Sequence, residues 1–124
     1  MITFFVQGHP VPWQRAGRHG YQTFTPRSTR VWQTTIAWAA KLHRPKKLFI
    51  GPLSMCLCFY FERPQSIDKE IIYCIGRSDV DNYAKSVMDA LHHIFYNNDN
   101  QVVDLTATKF YGDPGVNIVV EEVI

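Results

Sequence analysis

The run RSDVDNYAKSVMDALHH, from Arg77 to His93, places Asp79 and Asp81 one residue apart with Lys85 four residues further on. Two carboxylates and an ammonium at that spacing have two available uses. In a helix, residues two apart point about 200° away from each other, so helical Asp79 and Asp81 would not share a ligand. In an extended segment the same spacing puts both on one side. A chain that turns from extended to helical here can converge the two carboxylates on a hard divalent cation such as Mg²⁺ or Mn²⁺. Lys85, one turn further along, can then meet a phosphate that gathers charge in a transition state. The alternative is purely structural: Ser78 as N-cap, Asp81 closing a capping box, Asp79 favouring the helix dipole and Asp81 pairing with Lys85. Spacing alone favours this second use.

A third carboxylate, Asp99, lies in the turn NNDN (Asn97 to Asn100). It would return towards the first two if the strand starting at Gln101 ran beside the segment entering Asp79; otherwise it is a solvated turn residue. Asp89 continues the Asp81–Lys85 face and reads as an ion-pair partner for Lys85 or His93. Asp104 falls within a strand, and His92 and His93 fall late in the helix, where the dipole favours a cation.

The elements that must position these groups follow from periodicity. MITFFVQG is a β-rich first strand ending at Gly8. HPVPWQRAGRHGYQTFTP, with three prolines, reads as a long loop, and a loop of that length in a compact domain is functional or disordered. STRVWQTTIAWAAKLHR is helical, capped by Thr25 or Ser28, with Val31, Thr35, Trp38 and Leu42 on one stripe. PLSMCLCFYFE is a buried strand; Ile71 to Ile75 is compatible with a short one. The run after Asp79 carries the stripe Val80, Ala84, Val87, Leu91 and Phe95 of a helix packed on a sheet. QVVDLTATKFYG and VNIVVEEVI, around Asp113-Pro114-Gly115, read as a closing β-hairpin. The expected fold is α+β: a two-layer sandwich of a mixed sheet with helices on one face, in the order β-α-β-α-β-β, in a single domain of 124 residues.

Composition narrows the function classes. An apolar fraction of 46% with 19% charged residues is that of a soluble globular domain. Met1 to Phe61 carries eight basic residues and no acid, whereas Glu62 onward carries five basic and eleven acidic residues. A basic half suits a polyanion and an acidic half suits cations. Cys56, Cys58 and Cys74 have neither disulfide-framework nor zinc-site spacing, and Cys56 and Cys58, alternating within an apolar run, are expected as free, buried thiols. No apolar run approaches the ~20 residues of a membrane span, and no signal-peptide pattern is visible, so a cytoplasmic location is expected.

Taken together, these stretches resemble the RusA family of Holliday-junction resolvases, dimeric Mg²⁺-dependent endonucleases often carried by phages and prophages. RSDVDNYAKSVMDAL is similar to the family's Arg-Pro-Asp-Leu-Asp-Asn-x-x-Lys-x-x-x-Asp-Ala-Leu core, and NNDNQVVDL to its Asp-Asp-x-Gln-Val-Val signature. VQGHPVPWQRAGR resembles the family's Gly-x-Pro-Val-Pro opening, and YQTFTPRSTRVWQ its Tyr-Thr-Pro segment. The resemblance implies Asp79, Asp81 and Asp99 as metal-binding catalytic aspartates and Lys85 as catalytic lysine. It implies Mg²⁺, with Mn²⁺ as substitute, no organic cofactor, and a homodimer acting on four-way junction DNA in recombination and repair. Arg15, Arg18, Arg27, Arg30 and Arg77 are the expected DNA contacts, and Trp13, Tyr21 and Phe24 are candidates to stack at a branch point. The chain departs from the family at Asn98, where an aspartate is usual, and at Trp13 and Gln14, where a lysine and a small residue are common. The competing expectations are a DNA-binding protein with a degenerate nuclease site, and an interaction domain whose carboxylates only cap a helix.

Overall fold

The computed structural model describes residues 1–14, 17–19, 22–24 and 26–124, with the segments 17–19 and 22–24 given by their backbone pairing. Arg15, Tyr21 and Thr25 lie outside the described residues. The same holds for the side chains of Arg18 and Phe24.

Nine residues of strict alternation organise the sheet. In β4 (Leu53–Phe61) the odd positions Leu53, Met55, Leu57, Phe59 and Phe61 are buried, while Ser54, Cys56, Cys58 and Tyr60 are half-buried on the other face. Two-residue periodicity of this kind places one face of the strand in the core. Around it lie β1 (Ile2–Gln7), β5 (Val102–Tyr111) and β6 (Gly115–Glu122), in the order β1-β6-β4-β5. β4 and β5 are parallel; β6 is antiparallel to both β4 and β1. This is the expected α+β mixed sheet, with a short antiparallel pair, β2 (Gly17–His19) and β3 (Gln22–Phe24), inside the segment expected as loop.

The expected closing hairpin does not form. β5 and β6 are consecutive in the chain but separated in the sheet by β4, which pairs with both. A turn signal between two apolar strands is a local cue, whereas strand order answers to the whole core. The apolar β4 gains a ladder on each side only if β6 crosses over.

α1 (Arg27–Leu42) and α2 (Val80–Leu91) pack against the face carrying the odd β4 residues. α2 buries Tyr83, Ala84, Val87 and Leu91, with Phe95 following, close to the expected stripe. In α1 the expected stripe is the wrong one. Thr29, Trp32, Ile36 and Ala40 are buried, and Val31, Trp38 and Leu42 face outwards. Both sets have helical spacing and lie about 100° apart, so periodicity permits either. Trp32 is held by Gly8, whose positive φ of 137° ends β1 and whose missing Cβ lets the indole approach. No described helix is long and apolar enough to cross a membrane.

Candidate active site on the second helix

The helix boundary falls between the first two aspartates. Asp79 is the N-cap of α2, in extended conformation (φ −64°, ψ 144°), and Asp81 lies in the first turn. The capping box expected from Ser78 is therefore absent. Asp79, although at the cap position, makes no side-chain cap hydrogen bond. An N-cap aspartate ordinarily accepts from the second or third helical N–H; here the carboxylate is not used that way. Asp79, Asp81 and Lys85 are all exposed.

The segment entering Asp79 is held at the far end of β5, not beside Gln101. Tyr73 makes a single β-bridge to Phe110, Cys74 N–H donates to the Lys109 carbonyl at 3.1 Å, and Lys109 Nζ donates to the Ser78 carbonyl at 2.8 Å. β5 thus touches the start of the aspartate helix with its last residues and receives Asp99 just before its first.

Asp99 opens a 3-10 turn, Asp99–Gln101, that leads into β5. Asn98 caps this turn: its Oδ1 accepts from Asn100 N–H at 3.0 Å, and Gln101 Oε1 accepts from Asn98 N–H at 3.2 Å and Asn97 N–H at 2.9 Å. Gln101 Nε2 then donates to the carbonyls of Phe49 at 2.8 Å and Gly51 at 3.1 Å. Asn98 and Gln101, on either side of Asp99, are thus what hold its turn, and Asn98 fills its position as a cap. Gln101 was not singled out by residue chemistry; the reciprocal spacing from Asn98 to Gln101 is the signal that marks it.

The turn delivers Asp99 to Asp89. Burial raises the Asp89 carboxyl above its usual value, Lys85 lowers it, and the charge of Asp99 raises it again. Lys85 Nζ stands 3.6 Å from Asp89 Oδ1 and 5.3 Å from the centroid of the Trp13 ring. Asp99 Oδ1 is buried without a hydrogen-bond partner. Below them the Tyr96 hydroxyl donates to the Met88 carbonyl at 2.7 Å, its phenol raised by burial and by Asp99 and Asp89. Asp89, read from the sequence as an ion-pair partner, does pair with Lys85, and it is also the carboxyl that Asp99 raises.

The carboxylates thus form a row along α2, with Lys85 between the Asp79–Asp81 end and the Asp89–Asp99 end. Asp81 and Asp89 are about 12 Å apart along the helix axis at 1.5 Å per residue. Among the described residues no three acidic, histidine or cysteine side chains lie close enough together to hold one ion. Asp79 and Asp81 stand at the start of α2 and Asp99 in the turn before β5, so the three are not gathered. The donor chemistry nevertheless suits a hard cation: all are carboxylate oxygens, and the buried, partnerless Asp99 Oδ1 is an acceptor that a cation would satisfy.

Of the expected DNA contacts, Arg27 and Arg30 are exposed at the start of α1, and Arg77 is exposed with its guanidinium 5.6 Å from the Phe61 ring. A cleft of about 510 Å³ lies beside Arg27, between Gly8–Val11 and α1, away from the aspartates. Gln33 Nε2 donates to the Ser86 carbonyl at 3.1 Å and links the arginine-bearing helix to the aspartate-bearing one.

The protein YqaN of Bacillus subtilis (strain 168), itself uncharacterized, is 35% identical over 137 aligned positions, which take in 98% of this chain and 96% of YqaN. Residues 7–121 match the endodeoxyribonuclease RusA family. That match spans the opening loop, both helices and the turn of Asp99, so the chain belongs to the RusA endodeoxyribonuclease family.

Proposed function

We propose that this protein is a structure-selective endodeoxyribonuclease that resolves four-way DNA junctions by metal-assisted hydrolysis, as a cytoplasmic homodimer serving recombination and repair. The observation that supports it best is that the fold leaves its key carboxylates unspent: Asp79 makes no cap bond, and Asp99 Oδ1 has no partner. Asp79, Asp81 and Asp99 would hold one or two Mg²⁺ ions, with Mn²⁺ as substitute, and bound metal would supply an activated water and charge neutralisation. Asp99 is aimed by the Asn98–Gln101 cap, and Asp79 by the tether of Ser78 to Lys109. Lys85 meets the scissile phosphate where negative charge develops. Arg27, Arg30 and Arg77, with Arg15 and Arg18, contact backbone phosphates and confer affinity without reading sequence. A junction of near two-fold symmetry needs two opposed cuts, which two sites related by a dimer axis provide.

A second reading has one observation in its favour. The three aspartates are not within reach of one ion, as expected of a DNA-binding protein that no longer cuts. A synthetic four-way junction incubated with the protein and Mg²⁺, beside linear duplex of the same sequence, separates the two. The nuclease yields paired nicks on the junction alone, and Asp81→Asn abolishes them while keeping junction binding. Binding without nicks, in Mg²⁺ and in Mn²⁺, establishes the second reading.

A further inference from the structure

Lysine at position 85 has a positioning problem. Its side chain is about half exposed on the outer face of α2, and its salt-bridge contact to Asp89 is a long one at 3.6 Å. A four-carbon stem in such a place samples many rotamers, and an ammonium has no directional fork of its own.

The structure supplies a second wall. The main-chain N–H of Trp13 donates to the carbonyl of Asn82 at 2.8 Å, in the first turn of the same helix. The preceding residue is tied to the other helix, since Thr29 Oγ1 donates to the Pro12 carbonyl at 3.3 Å, and Val11 packs on the core. Pro10 and Pro12 further restrict the backbone of this stretch. The backbone of Trp13 is therefore fixed to the helix that carries Lys85, and its ring lies 5.3 Å from the ammonium.

We propose that Trp13 is a positioning residue for Lys85: its ring face, with Asp89, holds the ammonium in the row of aspartates before DNA arrives. An aromatic face suits the task because it attracts a cation without neutralising it. A second carboxylate would compete with the phosphate for the same charge, whereas the ring leaves the N–H donors free to turn towards an incoming oxygen. The proposal rests on Lys85 acting on the scissile phosphate, and the predicted effect is therefore on turnover and not on binding.

The test compares wild type, Trp13→Leu and Trp13→Phe by two measurements. In NMR spectra of the free protein, the Lys85 ε-methylene signal, assigned by its loss in Lys85→Met, should be shifted upfield by the indole ring current. It should move to the ordinary lysine position in Trp13→Leu and stay partly shifted in Trp13→Phe. On a four-way junction with Mg²⁺, Trp13→Leu should lower single-turnover cleavage about three- to five-fold, with junction Kd unchanged within about two-fold. Trp13→Phe should recover most of the rate. A Lys85 signal unshifted in wild type or unmoved by Trp13→Leu overturns the proposal, as does a Trp13→Leu effect confined to Kd. A wild-type protein that cuts no junction defeats the nuclease reading instead, and the ring-current measurement, which needs neither DNA nor metal, still decides whether Trp13 holds Lys85.

Discussion

Asp89 and Asp99 are the residues whose surroundings set the most specific expectations. Folding raises the Asp89 carboxyl above its ordinary value, because burial and Asp99 raise it more than Lys85 lowers it. A raised carboxyl makes the folded state bind more protons than the unfolded one, so its contribution to stability falls as pH rises from the usual carboxylate value through the raised folded value. Asp89→Asn should therefore raise Tm relative to wild type near neutral pH. The difference between the two curves should close as pH is lowered to about 3, below the ordinary carboxylate value. Added Mg²⁺ should stabilise wild type by mass action if an ion is held at the carboxylates, and Asp99→Asn should remove most of that gain. Under the proposed mechanism Asp99→Asn should also lower junction cleavage about 100-fold or more, measured with far-UV circular dichroism to show that the fold persists.

At the scale of elements, the two helices and the capped turn make separable predictions. Ile36 is fully buried and Trp38 is 67% exposed on the same helix. Ile36→Ala should cost about 2–5 kcal/mol through the cavity it leaves, while Trp38→Ala should stay within about 0.5 kcal/mol. Denaturant unfolding of the two variants tests which stripe faces the core, and equal losses would contradict the observed rotation of α1. The turn of Asp99 depends on Asn98, and loss of its cap costs about 1 kcal/mol. Asn98→Ala should thus lower Tm by about 4 °C. Asn98→Asp keeps a side-chain acceptor at the cap and should leave Tm close to that of wild type.

Across the whole molecule, charge is divided between the ends of the chain and brought together by the fold. The α1 arginines and the α2 aspartates sit on neighbouring helices linked through Gln33 and Ser86. Binding to DNA should weaken with salt, and each phosphate contact removed should flatten the log–log slope by about 0.9. Arg27→Ala and Arg30→Ala are expected to do this together, with affinity lowered equally for junctions of different sequence. Among the described residues, apolar side chains are exposed on the α1 stripe of Val31, Trp38 and Leu42 and, on the open sheet face, at Phe5, which touches the half-buried Tyr60 and through it Phe110. Analytical ultracentrifugation should find a dimer, and Trp38→Glu and Phe5→Lys, made separately, identify its face by which of them dissociates it.

The residues themselves determined a good deal. Strict alternation in Leu53–Phe61, the stripe of α2 and the spacing from Asp79 to Lys85 were all legible, because each depends on neighbours within one or two turns of chain. The order of motifs along the chain was enough to suggest the family, which the match over residues 7–121 established. Tertiary structure decided what periodicity leaves degenerate. It chose Trp32, Ile36 and Ala40 over Val31 and Trp38, because Gly8 leaves room for the Trp32 ring. It placed β4 between β5 and β6, because a buried strand needs a ladder on both edges. It also started α2 after Asp79 yet left that carboxylate without a cap bond, and it set Asp99 near enough to raise Asp89, a neighbourhood across the helix–turn boundary that no spacing rule contains. Local chemistry is written in the sequence; which groups face one another depends on how the core closes.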